Sequence, residues 1–237
     1  MILPSAFVLG VRRSGTTLLR VMLDRHSQLA VPQCLGLLER LFPRARDVHL
    51  IRDGRDAAVS FLAIPEGIVT RTWAHPRSAA DFACQWRSEV VAARCLGRRV
   101  GADRYLDVRY EALVAHFERE LRLRRVCAFL GLDYEPGMLA YPGTVDVSRQ
   151  PHQGGLLRPP TPGLRDWRRE LSSAETASFE EVAGDLLAEL GYEAQRAAPS
   201  PRGRLRLLSY EARAGSWCLA GKLVDRSPLW APRYPPA

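Results

Sequence analysis

The stretch Gly10-Val-Arg-Arg-Ser-Gly-Thr-Thr-Leu-Leu constrains the fold of this 237-residue chain more than any other. It follows the apolar run Ala6-Phe7-Val8-Leu9 and precedes Leu18-Leu19-Arg20-Val21-Met22-Leu23. That order reads as a buried strand, a glycine-containing turn and a helix. Such a turn aims backbone N–H groups and the positive end of the helix dipole at one point, a ready anion site. The spacing Gly10-x4-Gly15-Thr16-Thr17 is that of a P-loop with Thr16 in the lysine position. An ordinary ATPase or kinase needs that ammonium against the β- and γ-phosphates, so those classes are disfavoured. Arg12 and Arg13 bring cationic charge into the loop instead.

The rest of the chain alternates strands and helices. Asp47-Val48-His49-Leu50-Ile51 reads as a strand, Arg52–Arg55 as the turn after it, and Asp56 to about Leu62 as a helix. A short strand at Leu29–Val31 and a helix at Leu35–Phe42 fill the interval before it. Tyr105–Tyr110 is a further strand. Glu111–Leu130 reads as one helix ended by Gly131. Two capping boxes, Ser78-x-x-Asp81 and Ser172-x-x-Glu175, open helices with the apolar faces Phe82, Trp86, Val90 and Phe179, Val182, Leu186. This alternation argues for a parallel sheet with crossover helices. Residues 141–166 read as a long loop. A Pro- and Arg-rich extension, 196–237, holds one short helix near Leu205–Arg213 and follows a main domain at 1–195.

Composition bounds the partners. The net charge is +8, and Lys222 is the only lysine, so the basic charge is almost all arginine. Arginine suits phosphate and sulfate, although GC-rich coding produces the same bias. No basic run is interleaved with stacking aromatics and no zinc spacing occurs, so no nucleic-acid partner is expected. Five scattered cysteines without a CxxC pair argue against a disulfide framework and against a metal site. No apolar stretch reaches the ~20 residues of a membrane span, and no signal peptide is read. A cytoplasmic setting is the expectation.

Two anion sites are read. In the first, the N–H groups and hydroxyls of Arg13-Ser14-Gly15-Thr16-Thr17 accept an anionic group, and Arg13 neutralises charge developing on it. In the second, Arg52 at the carboxyl end of a parallel strand grips an anion together with Ser60 in the following helix. A nucleotide with phosphates at both ends needs two such separated sites.

These blocks resemble the sulfotransferases that use 3′-phosphoadenosine 5′-phosphosulfate (PAPS), nearer to the bacterial and tyrosylprotein branches than to the phenol branch. Phe7–Leu19 resembles the family's 5′-phosphosulfate loop and Val48–Ser60 its 3′-phosphate motif. Val108–Val114, Cys127–Leu132 and Gly163-Leu164-Arg165-Asp166-Trp167 resemble its later blocks. The resemblance implies a P-loop-like three-layer α/β/α fold around a central parallel sheet, with PAPS as co-substrate and no metal. Carried over, Arg13, Ser14, Gly15, Thr16 and Thr17 hold the 5′-phosphosulfate, and Arg52 and Ser60 hold the 3′-phosphate. Tyr110 lies near the nucleotide. Arg158 is read as a further phosphate clamp or as a solvated loop arginine. Trp167 is read as a packing residue. The implied reaction is in-line sulfuryl transfer to a hydroxyl or amine.

One departure stands out. Only residues 18–51 lie between Thr17 and Arg52, and Ala30-Val31-Pro32 runs into Gln33-Cys34-Leu35 where the family carries Pro-Glu-Thr and acceptor-binding elements. The usual carboxylate base is missing with that block. Glu39, the carboxylate nearest the junction, is the candidate replacement base or a helix-surface residue. The alternatives are therefore a sulfotransferase, a degenerate protein that binds PAPS or its product without turnover, and, less well supported, an unusual P-loop kinase. The acceptor and the oligomeric state are not legible.

Overall fold

The computed structural model describes residues 6–23, 44–65, 75–115, 119–144, 156–159, 161–195 and 198–225. The strand and helix expected at 29–31 and 35–42, together with Glu39, lie outside the described residues. The chain divides into two compact units, Met1–Ile64 with Glu89–Ser172, and Pro65–Ser88 with Ser173–Ala237.

The first unit holds the expected α/β arrangement. Three parallel strands, β1 (Ala6–Leu9), β2 (Arg46–Ile51) and β3 (Tyr105–Arg109), lie in the order β1-β2-β3. Register pairs Val8 with Val48 and Leu50 with Val108. Because strand side chains alternate, Ala6, Val48, Leu50 and Val108 share one face. They form a core with helices α1 (Thr16–Leu23), α4 (Tyr110–Val114) and α5 (Arg119–Leu130) and with Met138 and Tyr141 of a 3₁₀ segment, Pro136–Thr144. On the other face, Tyr105 lies on Gly97 of α3 (Ala79–Val100), where a Cβ would come within 2.5 Å of the ring. That face also holds buried His49, whose Nδ1 meets the Tyr105 hydroxyl at 2.6 Å and Asp107 Oδ1 at 3.0 Å. The sheet is thus covered on both sides, as a three-layer α/β/α fold requires.

One helix expected over Glu111–Leu130 is two. Ala115 leaves the helical region at φ −65°, ψ 125°. Arg119 Nε and Nη2 then donate to the Leu113 and Val114 carbonyls at 3.0 and 2.9 Å, satisfying acceptors that a continuous helix would have used. Gly131, at φ +74°, ends α5 in a Schellman turn closed by Leu132 N–H on the Cys127 carbonyl at 2.9 Å.

In the second unit, Trp86 of α3 packs on Phe179 of α7 (Ser173–Glu189), and Arg87 Nη2 donates to Asp185 Oδ2 at 2.9 Å. Helix α8 (Pro201–Asp225) is much longer than the short helix expected near 205–213. Ser200 caps it, its Oγ accepting from Gly203 N–H at 3.0 Å, and Pro201 takes the first helical position. Gly203 masked this start, because a glycine stands where periodicity calls for an apolar residue. The reason for the glycine is steric: a Cβ would lie 1.8 Å from the Glu181 carbonyl oxygen, and backbone cannot yield. Gly203→Ala is expected to destabilise this unit by ~2–3 kcal/mol. Faster amide exchange in α8 with unchanged protection in β2 would report it.

Candidate functional site

Everything at the site begins with the turn after β1. Arg13 sits at φ +69° and Gly15 at φ +92°, left-handed positions that fold the loop back on itself. Buried Ser14 locks it, its N–H and Oγ–H both donating to the Val11 carbonyl, at 3.1 and 2.6 Å. Gly10 permits the close approach, since a Cβ there would lie 2.9 Å from the Leu50 carbonyl oxygen. The first α1 backbone bond runs from Leu19 N–H to the Gly15 carbonyl at 3.1 Å. The N–H groups of Gly15, Thr16 and Thr17 precede it, at the positive end of the helix.

The second motif closes on the first. β2 ends at Ile51, and Asp53 caps helix α2 (Gly54–Leu62), its side chain accepting from Arg55 N–H at 2.9 Å. This delivers Arg52 and Ser60, both buried, to the loop. Arg52 Nη1 donates to the Arg13 carbonyl at 3.0 Å, and Arg13 Nε donates to Ser60 Oγ at 3.0 Å. The Arg52 guanidinium lies over the Tyr110 ring at 4.5 Å. Tyr110 is itself wedged against Gly15, where a Cβ would fall 2.3 Å from the ring. The two anion sites read from the sequence therefore meet in one cationic patch. Burial, and then the nearby charges of Arg52 and Arg165, hold the Arg13 guanidinium below its ordinary proton affinity. Two guanidiniums so placed repel one another until an anion sits between them.

A third segment is clasped to α2. Asp53 Oδ2 accepts from Arg55 Nη2 at 2.8 Å, and the Arg55 plane lies 3.7 Å from the centre of the Trp167 ring. Asp56 Oδ1 accepts from the N–H of Trp167, the first residue of the short helix α6 (Trp167–Glu170), at 2.9 Å. Trp167 is thus a packing residue as read, and its partner is an arginine face. This clasp brings Arg165 into the field of Arg13. Burial pushes the Asp56 carboxyl up to about 6, aided by the charges of Asp53 and Glu111. Between about pH 4 and 6 the folded chain then keeps a proton that the unfolded chain has lost. Stability falls over that window as pH rises, and the cost persists above it. Asp56→Asn keeps an acceptor for Trp167 and removes the charge. It is expected to stabilise the protein by ~1–2 kcal/mol near pH 8, after discount for partial exposure, and not at all below about pH 4. Urea unfolding at the two pH values checks this.

Of the residues nominated from the sequence, the structure gathers Arg13, Ser14, Gly15, Thr16, Thr17, Arg52, Ser60 and Tyr110 around one turn. Arg158 has an exposed side chain, and its carbonyl accepts from the Tyr141 hydroxyl at 3.3 Å. The sequence did not single out Arg165, which donates to Glu170 Oε2 at 2.9 Å and adds to the positive charge around Arg13, or Glu111, whose Oε1 accepts from Asp53 N–H at 2.9 Å. The Gly163–Trp167 block was the available signal for Arg165.

Comparison with known proteins agrees with this geometry. The sequence model described as "Sulfotransferase family" matches residues 4–35 and 30–136, more than half of the chain, and its two stretches overlap over residues 30–35. The chain is 23% identical to chicken protein-tyrosine sulfotransferase 2 over 267 aligned positions, covering 81% of this chain and 70% of the relative. That alignment is longer than the chain itself, so it opens gaps in it. Two solved structures share the fold. The sulfotransferase domain of the Synechococcus PCC 7002 olefin synthase has a TM-score of 0.57 at 22% identity, covering 80% of this chain and 95% of that one. Mouse sulfotransferase SULT7A1 complexed with PAP has a TM-score of 0.55 at 17% identity, covering 90% of each. With the family's sequence model spanning both the turn after β1 and the β2–α2 segment, and the fold shared with solved members, this chain belongs to the sulfotransferase family.

Proposed function

We propose that this chain transfers a sulfuryl group from PAPS to an acceptor hydroxyl or amine. The observation that carries the reading is the cluster in which Arg13 reaches Ser60 and Arg52 braces the Arg13 carbonyl, at the positive end of α1. Like-charged, part-buried guanidiniums beside orphan N–H groups suit a ligand with two phosphate-type ends. The mouse neighbour was solved with PAP, which supports the same ligand here.

PAPS supplies the activated sulfuryl group. The loop N–H groups and Arg13 would hold its 5′ end and offset charge that grows on the leaving phosphate oxygen. Arg52 and Ser60 would hold the 3′-phosphate, fixing the donor in line with the acceptor. A carboxylate takes the acceptor proton, and Glu39 is the residue nominated for it.

The short Gln33–Leu35 junction favours a second reading, nucleotide binding without turnover. Two measurements separate them. Titration calorimetry should show PAP binding in the micromolar range, and ATP at least tenfold weaker. Labelled sulfate should then pass from PAPS to one of a tyrosine peptide, a simple phenol, an alkyl alcohol or an amine, and Glu39→Gln should stop it while PAP affinity stays. PAP binding with no transfer to any acceptor selects the second reading. Failure to bind PAP sinks both.

A further inference from the structure

Helix α8 packs through one face and shows a different chemistry on the other. Its inner face is fixed on α7: Ser200 N–H donates to the Glu181 carbonyl at 2.9 Å, Gly203 is buried against that carbonyl, and Leu207 and Tyr210 are half-buried. On the opposite side, Leu205 and Leu208 are 69% and 63% exposed. Leu205, Leu208, Ala212 and Ser216 follow i, i+3, i+7, i+11 spacing and so fall on one line, all exposed. In the sequence the same period continues to Leu219 and Leu223. Helical spacing sets Arg202, Arg206 and Arg213 along one side of this line and Arg204 along the other, every one exposed. Glu211, the one acidic residue between Pro201 and Arg213, lies seven residues beyond Arg204 on that second side, so the net positive charge is concentrated on the Arg202, Arg206 and Arg213 side.

A single exposed leucine needs no explanation. Two on one line, with guanidiniums on both flanks and the opposite face already packed, are not explained by folding. We propose that α8 is an interfacial helix that docks this chain on an anionic lipid surface. The leucine line enters the boundary between headgroups and acyl chains, and the arginines on either side meet lipid phosphates and carboxylates. Charge complementarity selects this occupant. A planar anionic sheet that takes up the leucines also meets the three arginines of one flank, with Arg204 on the other. Arginine's bidentate fork also suits phosphate oxygens better than a lysine would.

The test is sedimentation of the full chain with sucrose-loaded vesicles, of phosphatidylcholine alone or with about one-third phosphatidylserine. The wild type should partition onto the anionic vesicles at least about tenfold more strongly, and high salt should weaken that binding. Leu205→Ser with Leu208→Ser, and separately Arg202→Gln with Arg204→Gln and Arg206→Gln, should each cut partitioning on the order of tenfold or more. These side chains are exposed, so thermal midpoints should match the wild type and exclude misfolding as the cause. Equal partitioning onto both vesicle types, or variants that partition like the wild type, would overturn the proposal. So would a concentration-dependent dimer that the leucine variant abolishes, which would assign the line to a second copy of this chain.

Discussion

Replacing Arg52 with alanine is expected to weaken PAP binding by about two to three orders of magnitude. The guanidinium is buried, stacks on Tyr110 at 4.5 Å and fixes the Arg13 carbonyl at 3.0 Å. On the proposed reading, its loss would remove a charge-assisted contact to the 3′-phosphate and loosen the loop that would hold the 5′ end. Each charged hydrogen bond contributes roughly 1.5–3 kcal/mol, and two effects together give the stated range. Stability should behave differently. Arg52 lowers the proton affinity of Arg13, so removing it relieves like-charge repulsion in the free protein while forfeiting the stacking and the carbonyl bond. These terms oppose, and the thermal midpoint without ligand should move by only a few degrees. The rise in midpoint expected for the wild type with saturating PAP should be nearly absent. Arg52→Lys should fall between, because an ammonium keeps the charge and loses the fork and the stacking plane. An alanine variant that binds PAP within threefold of wild type would remove Arg52 from the site.

What was legible in the sequence was what is local. The strand–loop–helix at 6–23 and the strand–turn–helix at 46–62 each encode their own geometry, through apolar runs, a capping Asp53 and loop glycines. Ser60 was legible because helical spacing from Arg52 sets its position. That Arg13 itself reaches Ser60 was not, because it depends on a left-handed φ at a non-glycine residue, which spacing does not reveal. Arg165 was missed for a different reason. Its place follows from a bond between Trp167 and Asp56, far apart in the chain, and no local pattern announces such a pairing. The break at Ala115 was hidden because Arg119 caps the freed carbonyls from beyond it, while the apolar spacing runs on.

The second large effect is expected from one methyl group. Gly15→Ala must place a Cβ at φ +92°, which L residues rarely adopt, and 2.3 Å from the Tyr110 ring. The backbone term costs ~1–2 kcal/mol and the overlap a further ~1–3 kcal/mol. Relief by displacement is costly too. Tyr110 carries the Arg52 guanidinium on its face, so a ring that moves away from residue 15 takes the support from the second motif. Gly15→Ala should therefore destabilise the protein by ~2–5 kcal/mol in urea unfolding and bring PAP affinity below detection. Tyr110→Ala supplies the control. Alone it removes buried ring area and the Arg52 platform. Combined with Gly15→Ala it opens the space that the methyl needs, leaving the backbone strain in place. The double variant should be more stable than the two single losses sum to, by ~1–2 kcal/mol of coupling. Strict additivity would mean that the ring and the loop do not touch, and the wedge that links the turn after β1 to Arg52 would have to be abandoned.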